Sequence, residues 1–180
     1  MNKYKRDRQW SDPFIPEIKR IIGPYLLDIA SLEVDCNQAA DLIVLNAQPI
    51  SIACRIRRPG FASNYGDQFT LRCHRDNGAK TELEKIVEGF GTWMFYGHSS
   101  VDERSICRWM LIDLKAFRAH LIRERCHLGE GLANRSGGIR SGIKSNGDGT
   151  HFAWFDARSF LGTPPLLVAN SETALFQEVA

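Results

Sequence analysis

"IACRIRRPG", residues 52–60, is the stretch on which the reading of this chain turns. It has the look of a β-strand. Side chains alternate along a strand, so Ile52, Cys54 and Ile56 take one face while Ala53, Arg55 and Arg57 take the other. Arg58 follows, and Pro59-Gly60 ends the run in a loop. One face of this strand belongs to a core. The function depends on what its arginine face meets: plain solvent, acidic partners or phosphates.

The neighbouring segments extend the pattern. "ADLIVLNAQPIS" precedes it and predicts a strand over 41–46 and a turn at Ala47-Gln48-Pro49 before the arginine strand itself, 50–57. "QFTLRCH" (68–74), "TWMFYGH" (92–98), "ICRWMLI" (106–112) and "THFAWFD" (150–156) read as four further strands. Ser11 or Asp12 can cap a first helix with Pro13 at its start. That helix carries Ile18, Ile21, Ile22, Tyr25 and Leu26 at helical spacing and bends at Gly23-Pro24. Thr81 and Glu84 have capping-box spacing at the head of a second helix, which ends at Gly89. "DLKAFRAHLIRER" (113–125) is a third. Asp113 and Asp156 each stand where a strand hands over to a helix and are expected to cap it. The order α-β-β-β-α-β-β-α-β predicts an α+β (or α/β) fold with a single mixed sheet flanked by helices.

Residues 1–11 read as a flexible basic arm and 12–180 as a single globular domain. Its core lies in 12–97, and 98–180 form an extension containing the glycine-rich segment 129–149, a mobile loop or hairpin. Within that segment Asn146-Gly147 and Asp148-Gly149 point to a tight turn. Trp93, Phe95, Trp109, Phe152 and Phe155 sit in apolar strand patterns and are expected in the core.

Totals constrain the class. The chain has 180 residues, 43% of them hydrophobic and 24% charged, which excludes wholesale disorder. A net charge of +2 excludes a strongly basic coat but leaves room for a local patch. Five cysteines without a CxxC spacing suit free thiols in a reducing compartment. No stretch resembles a signal peptide or reaches the roughly 18 apolar residues of a membrane span. A cytoplasmic protein without membrane contact is expected.

The cations are the sharper signal. Arg55, Arg57, Arg58, Arg72, His74 and Arg75 fall on two consecutive strands and their ends. Paired strands lie about 5 Å apart, so these side chains would form one patch fit for phosphates, with Tyr65 in the loop between them to stack on a base. The competing reading pairs these arginines with Asp67, Asp76 and Glu82 on an ordinary surface, or with an acidic protein partner. Cys73-His74 and Cys126-His127 lack the spacing of zinc ligands, and no zinc is expected.

The run of helix, three strands, helix and strand over about 12–97 resembles the PD-(D/E)XK nuclease superfamily. The resemblance implies an acid on one strand and, on the next, an acid and a lysine two residues apart. The carboxylates hold magnesium, and the cation steadies a phosphate. Carried onto this chain, Asp41 takes the first acid position and Arg55 the lysine position, while Ala53 occupies the second acid position. An acid from elsewhere would then complete the metal site with Asp41. Glu82 is the leading candidate, with Glu17, Glu33, Glu84 and the amide of Gln68 behind it. The implied activity is a magnesium-dependent phosphodiesterase acting on DNA or RNA. "IACRIRRPG" and "YGHSS" with "WMLIDLKAFR" also look like phage or mobile-element proteins. This fits a second expectation: a catalytically inactive accessory or inhibitor protein that binds nucleic acid or a host protein.

Overall fold

The computed structural model describes residues 3–29, 42–44, 50–76, 78–124, 138–147 and 149–174. Asp41, Glu33 and the part of the glycine-rich segment at 129–137 lie outside the described residues. Among the described residues, no helix is long and apolar enough to cross a membrane.

The N-terminal segment differs from the expected loose arm. Lys3–Ser11 form helix α1, which leads through a 3-10 turn at Asp12–Phe14 into α2, Ile15–Ile22. The turn carries Pro13 where a missing N–H costs nothing. Trp10 reaches Phe14, ring centroids 5.4 Å apart, and donates its indole N–H to Glu103. Phe14, Ile18 and Ile22 are all buried, which ties α1 and α2 to the body of the protein.

Two short strands, β1 (Leu27–Ile29) and β2 (Leu42–Val44), pair antiparallel with each other. The main sheet contains β3 (Ile52–Arg57), β5 (Trp93–Ser99), β6 (Ile106–Asp113) and β9 (Leu167–Asn170), in that order. β3 runs parallel to β5, and the other pairs are antiparallel. A second, antiparallel sheet has the order β4 (Gln68–His74), β8 (His151–Asp156), β7 (Ser141–Ser145). The protein is therefore α+β, but its strands divide into separate sheets where one was expected. The arginine strand and the strand after it, expected as neighbours, belong to different sheets. The chain between them, with the one-turn helix α3 (Ala62–Tyr65), crosses from one to the other.

The four-stranded sheet is buried on both faces. Phe95, Trp109 and Leu111 meet Phe14, Ile18 and Ile22 on one side. Met94, Tyr96, Met110 and Ile112 meet the second sheet and two helices on the other. Those helices are α4 (Glu82–Val87) and α5 (Leu114–Arg123), the latter supplying Phe117 and Leu121. This explains why β5 and β6 read as continuous apolar runs rather than alternating ones. Phe95 and Leu111 are fully buried, worth about 1.5–3 kcal/mol each. The second sheet contributes Phe69, Leu71, Ala153 and Phe155 to the same core.

Local signals in the sequence set the helix starts. Thr81 and Glu84 form the reciprocal capping box of α4. Asp113 accepts the amides of Lys115 and Ala116 at the head of α5, and Asp156 accepts that of Arg158 before a 3-10 turn, Ala157–Ser159. A last short helix, α6, spans Ser171–Ala174.

Candidate functional site

On the arginine face of β3, Arg55 is turned inward. In register, Ala53 lies beside Met94, Arg55 beside Tyr96 and Arg57 beside His98, all three partners buried. Arg55 thus faces the second sheet rather than solvent. Its guanidinium donates to the carbonyl of Thr70 at 3.0 Å and forms an ion pair with Glu82. The same Glu82 oxygen accepts the backbone N–H of Arg72 at 3.3 Å. The reason lies in β4, which ends its sheet and pairs only with β8. On such a strand alternate residues turn both backbone groups away from the ladder, and those groups need partners. Thr70 and Arg72 are two such residues, and the Arg55–Glu82 pair satisfies them.

Two of the three residues expected to carry catalysis are therefore brought together, but as each other's partner. Asp41, the third and an expected metal ligand with Glu82, lies outside the described residues. Ala53 is exposed on the outer strand. Of the remaining acids, Glu84 is occupied in the capping box, where the Thr81 amide and hydroxyl hold its carboxyl below the usual range. Glu17 accepts the amide of Ile106 at 3.0 Å. Gln68 lies on β4 opposite Asp156.

The other expected phosphate ligands are carried by strands of different sheets. Arg57 stacks on Phe61 at 4.6 Å and Arg58 on Trp10 at 4.5 Å. The Nε of Arg75 is buried without a partner among the described residues. Asp67 pairs with Arg108 and Arg158, and Asp76 with His74 at 3.3 Å, so neither neutralises the arginines of β3.

Arg72 and Tyr65 do meet other side chains suited to nucleic acid, on the outer face of the second sheet. Strand alternation places Phe152, Trp154 and Asp156 there, opposite to Ala153 and Phe155, which fill the core. Phe152 was expected in the core and is instead half-buried on this face. It sits in register between Arg72 of β4 and Lys144 of β7. The next row is Thr70, Trp154 and Gly142. Thr70 is buried, its hydroxyl 2.9 Å from that of Tyr96, whereas Trp154 is half-buried and Lys144 exposed, so the face opens toward β7. Tyr65, 41% exposed, stands at the rim with the Lys144 ammonium 5.8 Å from its ring centre.

Gly142 sets the orientation of Trp154. A Cβ at this position would lie 2.7, 2.9 and 3.0 Å from Nε1, Cε2 and Cζ2 of the indole. The N–H edge of the indole is therefore packed against the bare backbone of β7 at Gly142. The signal in the sequence was "HFAWFD" beside "SGIKS": aromatic residues on both parities of one strand, with a glycine on the next.

Beyond Asp156 the face passes into charged ground. Arg140 and Arg158 both pair with the buried Asp156. Arg158 and Arg108 share Asp67, and Arg108 also binds Glu172 at 2.7 Å. A cleft of about 100 Å³ lies among Asp67, Arg108, Arg158, Asn170 and Glu172, and its charges are matched internally.

His98 lies in the interior near this network. It is 1% exposed, and neither ring nitrogen has a partner among the described residues. Burial, reinforced by Arg57 and Arg108 on the flanking strands, pushes its pKa down to about 4.

No family model, curated protein or solved structure matches the chain.

Proposed function

We propose that this chain is a nucleic-acid-binding protein and that the outer face of its second sheet is the binding surface. The observation that carries this reading is the cross-strand row Arg72, Phe152, Lys144 with Trp154 beside it. Cations flanking half-exposed rings offer a polyanion both its counter-charge and a stacking surface. Neither Arg72 nor Lys144 has an acidic partner among the described residues, so their charge is available. The free thiols of Cys54, Cys73 and Cys107 fit work in the reducing cytoplasm.

Binding without cleavage is the form of this function that the geometry favours, because Glu82 already serves Arg55 and the β4 edge. Magnesium-dependent phosphodiester cleavage around Asp41, Arg55 and Glu82 is the second reading, and it requires that pair to open.

Fluorescence anisotropy with labelled DNA and RNA oligonucleotides, run beside a cleavage gel in magnesium or EDTA, tests both. Binding that weakens steeply with salt and leaves the oligonucleotide intact supports the proposal. Magnesium-dependent cleavage abolished by Asp41→Ala would replace it with the nuclease reading. No binding at low salt would overturn both and leave a protein partner for this face.

A further inference from the structure

We infer that the ligand of this face is single-stranded nucleic acid, held by one base stacked on Trp154 and a neighbouring base on Phe152. The inference rests on the nucleic-acid reading above and adds the class of strand. Phe152 and Trp154 are two residues apart on β8, so their Cα atoms lie about 6.7 Å apart. Successive bases along one strand of a duplex rise by about 3.4 Å, half that spacing. Two neighbouring bases can meet both rings only when the strand is drawn out of its helical stack.

The way the rings are presented agrees. A duplex offers base edges in its grooves, and its major groove is read by a projecting helix or ribbon. Here both rings are half-buried in a sheet face, and the indole packs against the bare backbone at Gly142. Partly exposed rings set into a sheet suit the plane of an unpaired base rather than the edge of a pair. The charge is also modest. Arg72 and Lys144 flank Phe152 and would contact about two phosphates, which gives a shallow salt slope of roughly −0.7 for each on a single strand. Stacking then carries much of the affinity, and it tolerates any base.

The test compares one oligonucleotide as a single strand and as a duplex, in DNA and RNA forms, by anisotropy at fixed salt. Proteins are the wild type, Trp154→Ala, Trp154→Phe, Phe152→Ala and Arg72→Gln, each checked by circular dichroism for an intact fold. The expected result is at least a tenfold preference for the single strand. Each aromatic-to-alanine change should lower that affinity by about 5- to 150-fold, and Trp154→Phe should keep most of it because a π face remains. Arg72→Gln should reduce the salt slope by about 0.7. A duplex bound as tightly as the single strand, or single-strand binding indifferent to both alanine variants, overturns this inference while leaving nucleic-acid binding standing. If neither form binds, the nucleic-acid reading itself fails, and this inference with it.

Discussion

Arg55 and Glu82 form an ion pair across the junction of the two sheets, and each also holds a backbone group on the free edge of β4. An unpaired strand edge is a template for unwanted pairing, and proteins commonly cover it with charge. Here the covering charges come from a strand of the other sheet and from the first turn of α4, so one contact closes an edge and joins three elements. Both side chains are more than two-thirds buried.

Removing one member should therefore destabilise the fold, because the partner charge and a backbone group both lose their ligand. Arg55→Ala and Glu82→Ala are each expected to cost about 1–3 kcal/mol. The double variant should cost clearly less than the sum of the two, since the lost interaction is shared. Urea denaturation of the four proteins measures this. Additive losses would mean that the pair contributes nothing as a pair. Nucleic-acid affinity should change little in any variant that remains folded.

His98 makes stability depend on pH. Its folded pKa, about 4, lies below the value near 6.5 of an exposed imidazole. The unfolded chain therefore binds a proton more readily than the folded one, and stability rises with pH between these values. The contribution is complete above about pH 6.5 and is lost as the pH falls toward 4, by roughly 3 kcal/mol in total. Denaturant midpoints across that window should fall with acidification in the wild type. In His98→Phe the same window should be distinctly flatter, since Tyr96 already offers this position an edge-on aromatic neighbour. An unchanged slope would show that His98 is not the titrating group.

Short-range features were legible in the sequence, and long-range ones were not. The capping box at Thr81 and Glu84, the cap at Asp113 and the hairpin between β7 and β8 all lie within a few residues of their partners. Asn146 closes that hairpin through its N–H to the Thr150 carbonyl at 2.7 Å. The sheets are a different matter. Ile52 pairs with Trp93 and Gln68 with Asp156, separations that no local pattern encodes. The arginine strand is therefore legible as a strand but its neighbour is not, and Arg55, which reads as a phosphate ligand, forms an internal clasp. The aromatic face was missed because apolar residues on both parities of 150–156 look like a wholly buried strand. Phe155 is buried and Phe152 is not, and only the register against Arg72 and Lys144 separates them.

The same distinction applies to the remaining arginines. Arg57 and Arg58 lie over Phe61 and Trp10, off the aromatic row, and their replacement by Gln should leave oligonucleotide affinity within about twofold. Lys144→Gln should instead weaken binding and lower the salt slope by about 0.7. Equal effects from all three, read by anisotropy at several salt concentrations, would place the strand on the β3 side of the molecule.

Gly142 provides a test that alters neither a charge nor a ring. A methyl group there would sit within 3.0 Å of three indole atoms, nearer than a Cβ tolerates, so the side chain of Trp154 has to move rather than the backbone beneath it. Gly142→Ala should leave the fold intact, because the indole is only half-buried and its displacement does not disturb the core. It should shift the emission of Trp154, seen most clearly with Trp10, Trp93 and Trp109 replaced by Phe. Single-strand affinity should fall toward that of Trp154→Ala even though the ring is still present. If affinity stays at the wild-type level while the emission shifts, the ligand does not depend on this setting of the indole, and stacking on Trp154 is excluded as the mode of binding.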